Sequence, residues 1–274
     1  MKAKVYTYQP ESINASFRII LFITTAVMVL ARGIFGADFS AVVSSDDYQP
    51  YKSTITLSSE LQASSAYLLQ RDYQPAGTVQ NPQRAIYQKY NTARIRLSGN
   101  RQFRPGDTLL IVNRERNLSH NRIRYQLVRG AGKAVVTQLG DRNDLFAEII
   151  TMWHPVRGGE MVIPYTGFEP FRIRSFERTQ ENMNGLVITH LQNGTMPYMG
   201  DMLIIDKGRN DGVGLGDVFA VLEENSRDGV EKELLLAKVI KVLPTSSTLV
   251  IKKLHENRLS AGDKAVLRMR AREE

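Results

Sequence analysis

From residue 93 onward, apolar and polar residues alternate with a period of two. Residues 93–97 (ARIRL), 108–112, 122–128, 133–139, 145–152 and 161–164 predict six strands. Turn residues separate them: Gly99-Asn100, Pro105-Gly106-Asp107, Gly130 to Gly132, Gly140-Asp141 and Gly158-Gly159. A looser stretch, 165–184, follows. The same grammar then returns at 185–191, 202–206, 218–223, 234–243, 248–254 and 264–268. Short strands with such frequent turns predict a mainly all-β fold of two small barrel or sandwich modules.

The two blocks resemble each other. RPGDTLLIV, GKAVVTQL, LFAEII and GGEMVIP of the first run parallel to GLGDVFAVL, LAKVIKVL, TLVIKKL and AGDKAVL of the second. In each, a Gly-acid pair starts a strand and closes the unit, at Gly106-Asp107, Gly159-Glu160, Gly216-Asp217 and Gly262-Asp263. Glycine supplies a positive-φ backbone and the acid accepts from turn amides. Gly208, Asp211 and Gly212 form a further turn of this kind. The expected organisation is β module 1 over 93–165, a linker over 166–184, β module 2 over 185–268 and a charged tail over 269–274.

Before the modules the period of two is absent. Residues 38–92 read as a polar lead-in in which Asp47-Tyr48-Gln49-Pro50 recurs as Asp72-Tyr73-Gln74-Pro75, with Tyr8-Gln9-Pro10 a partial copy. The residue before proline favours extended backbone, so these read as spacers. Ser59-Glu60-Leu61-Gln62 fits a capping box, with Leu61, Leu68 and Leu69 on one face of a short helix over about 59–71. A second helical turn is expected near residues 82–90.

Ile19 to Ala31 is an uncharged, mostly apolar run of thirteen residues preceded by Lys2, Lys4 and Arg18. A membrane-spanning helix needs about 20 apolar residues, so residues 1–37 read as a secretory signal. Ala31-Arg32-Gly33 offers small residues for cleavage, and an uncleaved membrane anchor is the rival reading. The net charge of +8 favours anionic partners. Removing residues 1–37, with four bases against one acid, leaves +5 of it. The absence of cysteine excludes a lipoprotein, a disulfide framework and thiolate metal sites. The expected location is the periplasm or the outer membrane.

Motifs for catalysis are not found. His120, His154, His190 and His255 lack metal-ligand spacing, and there is no nucleophile elbow. Asp211 to Gly216 precedes a strand, so it is a turn and not a phosphate loop. Asp206 to Asp217 has the length of a calcium loop but lacks Gly at position six and Glu at position twelve. Asp107, Glu160, Asp217 and Asp263 are repeat-equivalent, which argues for one structural task in place of a glycosidase pair. No catalytic residue, metal or cofactor is therefore assigned. Arg-Ile-Arg occurs three times, as Arg94/Arg96, Arg122/Arg124 and Arg172/Arg174. In a strand both arginines share a face, with Ile turned to the core. Aligned neighbours would make a guanidinium face for carboxylate or phosphate. Arg268, Arg270 and Arg272 read as a frayed terminus.

Met202 to Val213 with Gly216-Asp217-Val218-Phe219, followed by Lys238 to Val242 and Leu259 to Val266, resembles a recurring envelope module. It is similar to the β modules that follow lysin-motif (LysM) domains in Gram-negative envelope proteins, and to the C-terminal part of flagellar assembly protein T. The likeness covers about 94–164 and 185–267. It implies a non-enzymatic periplasmic or outer-membrane role, often near peptidoglycan. Arg104 to Leu109 echoes the start of a lysin motif, but Leu110-Ile111-Val112 continues as strand, so glycan-binding residues do not carry over. Residues 205–242 also resemble the β domain of rod-shape-determining protein C, without the coiled coil expected after residue 38. The expected function is an exported scaffold or adaptor that binds an envelope polymer, periplasmic or outer-membrane proteins, or a machine such as the flagellar motor. Nucleic acid is not an expected partner. The rivals are a cell-wall hydrolase with a site between modules and a membrane-tethered organiser of cell shape.

Overall fold

The computed structural model describes residues 55–80, 86–99, 101–141, 143–192, 196–223 and 232–273. The apolar run at 19–31 lies outside them, as do Asp47 to Pro50. Among the described residues no helix is long and apolar enough to cross a membrane. The described residues are mostly strand. It begins with β1 (Ile55–Leu57), one short helix α1 (Ser59–Ser64) and β2 (Ala66–Gln70). The first module is β3 (Gly77–Val79), β4 (Thr92–Leu97), β5 (Thr108–His120), β6 (Ile123–Leu139), β7 (Asp144–Met152) and β8 (Met161–Pro164). After β9 (Phe171–Arg178) comes the second: β10 (Asn184–His190), β11 (Met202–Ile205), β12 (Val218–Leu222), β13 (Glu233–Val242), β14 (Ser247–Leu254) and β15 (Lys264–Glu273).

Antiparallel pairing closes each module into a six-stranded ring. The first runs β3-β4-β7-β6-β5-β8 and back to β3; the second runs β10-β11-β14-β13-β12-β15 and back to β10. Each pairing in one ring has its counterpart in the other, strand for strand in chain order. The internal repeat is thus a repeat of topology. Alternation fills each ring with side chains: Ile95, Leu109, Ile111, Leu145, Ile149 and Val162 in the first, and Leu203, Ile205, Phe219, Val221, Leu249 and Leu267 in the second.

Three corners close each barrel by one device. In Arg104 to Asp107, Gly106 takes φ +96° and donates its N–H to Val136 O (2.8 Å), while Asp107 O accepts from Val136 N (2.9 Å). The chain thereby turns onto the strand it must join. Gly159-Glu160 pairs likewise with Val79, Gly216-Asp217 with Val239, and Gly262-Asp263 with Val187. Two more copies carry weaker sequence signals. Gly200-Asp201 pairs with Ile251, and Tyr90-Asn91 pairs with Ile149, with Tyr90 at φ +68° where the other five have glycine. In five corners the acid or amide side chain accepts from the amide three residues earlier, at Gln88, Arg104, Arg157, Gly214 and Ser260. Asp201 is the exception, because its carboxylate accepts from Met202 N.

Several expectations need correction. The N-cap is Ser58, whose Oγ accepts from Leu61 N at 3.1 Å, and the helix ends at Ser64. Residues 66–70, expected as its continuation, are strand β2 on the edge of β6. The lead-in is therefore structural, and the first barrel starts at Gly77. Residues 81–85 lie outside the described residues, and Gln88 to Asn91 is a corner instead of a helical turn. The glycines at 130–132 do not break a strand. They let neighbours approach: a Cβ on Gly130 would stand 2.0 Å from Ala63 O, and one on Gly132 would stand 2.5 Å from Thr151 O. The 166–184 linker contains β9, and the supposed frayed tail is the second half of β15, paired to β9.

With 13 and 17 residues, β5 and β6 outgrow the barrel. Their far halves form an arm, edged by β2 and closed at Asn121-Arg122, both with positive φ. Leu118, Tyr125 and Leu127 of the arm, with Ala66 and Leu68 of β2, pack against Ile188, Leu191, Met202 and Ile204 of the second barrel.

The corner geometry makes opposite predictions for two substitutions. Tyr90 is 65% exposed and holds a left-handed conformation that costs a non-glycine residue ~1–2 kcal/mol. Tyr90→Gly is expected to raise stability by about 0.5–1 kcal/mol, net of the flexibility that glycine adds to the unfolded chain. A Cβ on Gly216 would meet Ile173 Cδ1 at 2.6 Å and Ala271 Cβ at 2.8 Å. Gly216→Ala should lower stability by about 2 kcal/mol or more. Urea unfolding of both variants checks the pair.

Candidate functional site

The three Arg-Ile-Arg pairs lie on strands that are not neighbours. Arg94 and Arg96 share a face of β4, and both engage Asp144, which register places opposite Arg96 on β7. Arg94 Nε donates to Asp144 Oδ2 at 2.9 Å and Arg96 Nε to Oδ1 at 3.3 Å. The two guanidinium groups, Arg94 first, hold the Asp144 carboxyl below the usual carboxylate range. Arg122 sits in the arm's turn and Arg124 just inside β6; both are exposed, and Ile123 between them is 45% exposed in place of facing a core. Arg172 and Arg174 lie on β9, where Ile173 is buried as alternation requires. Alternation fixes which side of a strand a residue faces, but not which strands become neighbours. No common guanidinium face therefore forms from the six.

The corner acids are committed to structure. Asp217, 2% exposed, accepts from Gly214 N, from Ala271 N (3.1 Å) and from Arg270 Nη1 (2.7 Å). Arg270 also donates to Gly212 O and pairs with Glu181, so the basic end of β15 is an anchor. Asp211 Oδ2 accepts from Gly208 N, and that amide, with the Lys207 ammonium, holds its carboxyl low. A Cβ on Gly208 would stand 2.4 Å from Leu243 O, so the position requires glycine, and Gly212 takes φ +84°. These residues serve the turns.

Polar and charged groups that sequence reasoning missed lie where the second barrel meets the arm and the α1-β2 segment. Arg116, from the arm, donates to Thr189 Oγ1 (2.6 Å), His190 O and Leu191 O (3.1 Å) of the second barrel. His120 Nε2 is 3.5 Å from Asp206 Oδ2. Thr248 Oγ1 donates to Ala66 O at 2.7 Å. Lys241 of β13 is 5% exposed; its Nζ donates to Gln62 O (3.1 Å) and lies 3.8 Å from the Tyr67 ring centre and 4.7 Å from that of Phe168. In the sequence Lys241 reads as one more outward lysine, because its cover comes from the segment taken for a spacer.

The remaining histidines are scattered. His255 Nε2 lies 3.2 Å from Glu233, His190 Nδ1 lies 3.7 Å from Asp201, and burial, with Arg129 nearby, pushes His154 down. Among the described residues no three or more His, Asp or Glu side chains gather closely enough to hold a metal ion. A shallow hollow of about 380 Å³ is lined by Arg101, Phe103, Asp107, Thr108, Pro164 and Tyr165. Its one carboxylate, Asp107, already accepts from Arg104 N.

Burial pushes the Lys241 amine from 10.5 down to about 7, and Lys238, which also faces Lys252, down to about 8. A lysine depressed in the folded state means that the unfolded chain binds more protons between the two values. Stability therefore rises with pH from about 7 to 10.5 and levels off above. Lys241→Met should show a shallower rise over that window in urea unfolding at stepped pH. An unchanged slope would show that Lys241 is not sealed in the seam.

No family model and no curated protein matches the chain.

Proposed function

We propose that this chain is an exported, non-enzymatic scaffold or adaptor of the bacterial cell envelope, joined through its arm to an anionic envelope polymer. Peptidoglycan, with its peptide carboxylates, suits arginine recognition. A periplasmic machine such as the flagellar motor is the kind of assembly such a scaffold would serve.

The observation that carries this reading is the filled seam between the barrels. A hydrolase working between its modules needs a cleft there, with polar groups converging on it. The seam instead holds Ala66, Leu68, Leu127, Ile188 and Ile204, each less than 9% exposed. The acids a hydrolase would recruit are spent on corner amides. Such a joint holds two surfaces at a fixed separation. Arg122 and Arg124 stand exposed at the tip of the arm, and no ion pair engages them among the described residues.

Retention of the full chain on purified sacculi and on envelope vesicles, at low and high salt, tests the reading. Binding to sacculi at low salt should be lost at high salt, because exposed charge pairs are screened. Arg122→Ala with Arg124→Ala should weaken it. Arg94→Ala with Arg96→Ala should lower stability through Asp144 and leave retention in place. Retention on neither material, or the protein's recovery from the cytosol, would count against the proposal.

A further inference from the structure

Lys238 is a buried cation without a counter-charge. Ala237 and Val239 point into the core of the second barrel, so Lys238 between them points outward from β13. Register sets Val218 of β12 on one side of it and Val250 of β14 on the other. Leu236 and Ile240, two positions away along its own strand, share its outward face. Val218, Val250, Leu236 and Ile240 are 7%, 6%, 8% and 0% exposed, and Lys238 itself is 8% exposed. Among the described residues no hydrogen bond or ion pair reaches its ammonium group. Taking an ammonium out of water is costly unless a partner compensates it. Lys241, three positions on, has Gln62 O and the faces of Tyr67 and Phe168. Lys238 has no such partner, and burial, with the Lys252 ammonium nearby, holds its amine down at about 8.

Lys252 belongs to the same face. Ile251 lies in the barrel core and Val250 outside it, so Lys252 is the next outward residue of β14. It is the bulged residue between the pairs Ala237–Ile251 and Leu236–Lys253, which sets it diagonally beside Lys238. Lys252 is exposed, so the pair opens to solvent on its side. The carboxylates of the neighbouring strands are engaged elsewhere: Asp217 with Arg270, Glu177 with Arg272, Glu223 with Arg258 and Glu233 with His255. Two cations on an apolar face, neutralised by no described acid, suit a doubly charged anion. Lysine binds phosphate as a point charge, whereas the planar fork of arginine is the better match for carboxylate. A phosphate monoester carries about two negative charges at neutral pH. We propose that Lys238 and Lys252 bind a phosphoryl dianion, either a free phosphate or the phosphate of a lipid headgroup.

Titration of the full chain with inorganic phosphate, followed by side-chain NMR of the lysines, tests this site separately from the arm. Bound phosphate favours the charged amine, so the Lys238 titration should move up from about 8 toward the ordinary 10.5. Binding should fade as pH rises past about 8, where free Lys238 loses its proton. Lys238→Met keeps the apolar face filled, and Lys252→Gln alters an exposed side chain, so both should fold as the wild type does. Each should weaken phosphate binding by about tenfold or more, while Arg122→Ala with Arg124→Ala leaves it intact. Flotation with vesicles of phosphatidic acid in phosphatidylcholine separates the two sources. Capture that is lost in Lys238→Met assigns the lipid headgroup, and phosphate binding without capture assigns the soluble ligand. Binding of neither probe, equal binding by Lys238→Met and the wild type, or a Lys238 titration unmoved by phosphate would overturn the proposal.

Discussion

Both barrels depend on one backbone interaction: a left-handed residue presents its N–H, and the next residue its C=O, to a single residue on the facing strand. A six-stranded sheet has two edges, each lined with unpaired amides and carbonyls, and closing the sheet removes them. Closure requires the chain to turn sharply at the barrel's rim and land in register. The six corners do this at Val79, Val136, Ile149, Val187, Val239 and Ile251, three per barrel and at matching places. The repeated Gly-acid pairs are the sequence trace of that requirement. It also explains the acids that a reader hunting for catalysis would notice, since five of the six corner side chains cap an amide.

The second constraint is the joint. Two small barrels would be independent beads if only a linker connected them. Here the arm of the first lies across the second, and the segment β1-α1-β2 engages both, pairing with β9 at one end and β6 at the other. Its backbone carbonyls at Gln62 and Ala66 are satisfied by Lys241 and Thr248 of the second barrel. Burying a lysine is costly unless its donors find acceptors and its stem finds apolar cover, and the α1-β2 segment supplies both. Such a joint suits a scaffold because it fixes the arm tip relative to the far barrel.

Eleven of the twelve barrel strands were legible because alternation reports one buried face, and β8 falls at the residues that the pattern predicts; β3, in the segment read as a spacer, was not. What alternation cannot report is partnership. It placed Arg94 and Arg96 on one face but not Asp144 opposite them. It could not foresee that Arg122 would occupy a turn. The lead-in misled because Leu68 and Leu69 fit a helical face as well as a strand, and the choice is made by pairing with β6 more than fifty residues away. The glycines at 130–132 looked like a turn because close approach of Ala63 and Thr151 is invisible in sequence.

Native-state hydrogen exchange at the six amides that donate to the corners tests the central claim most directly. If the corners close the barrels, the N–H groups of Val79, Val136, Ile149, Val187, Val239 and Ile251 exchange only when the whole unit unfolds, with one common free energy and the same dependence on denaturant. Exchange of any of them through local opening, well below the free energy of the strands in the barrel interior, would mean that the rings are held shut by something else.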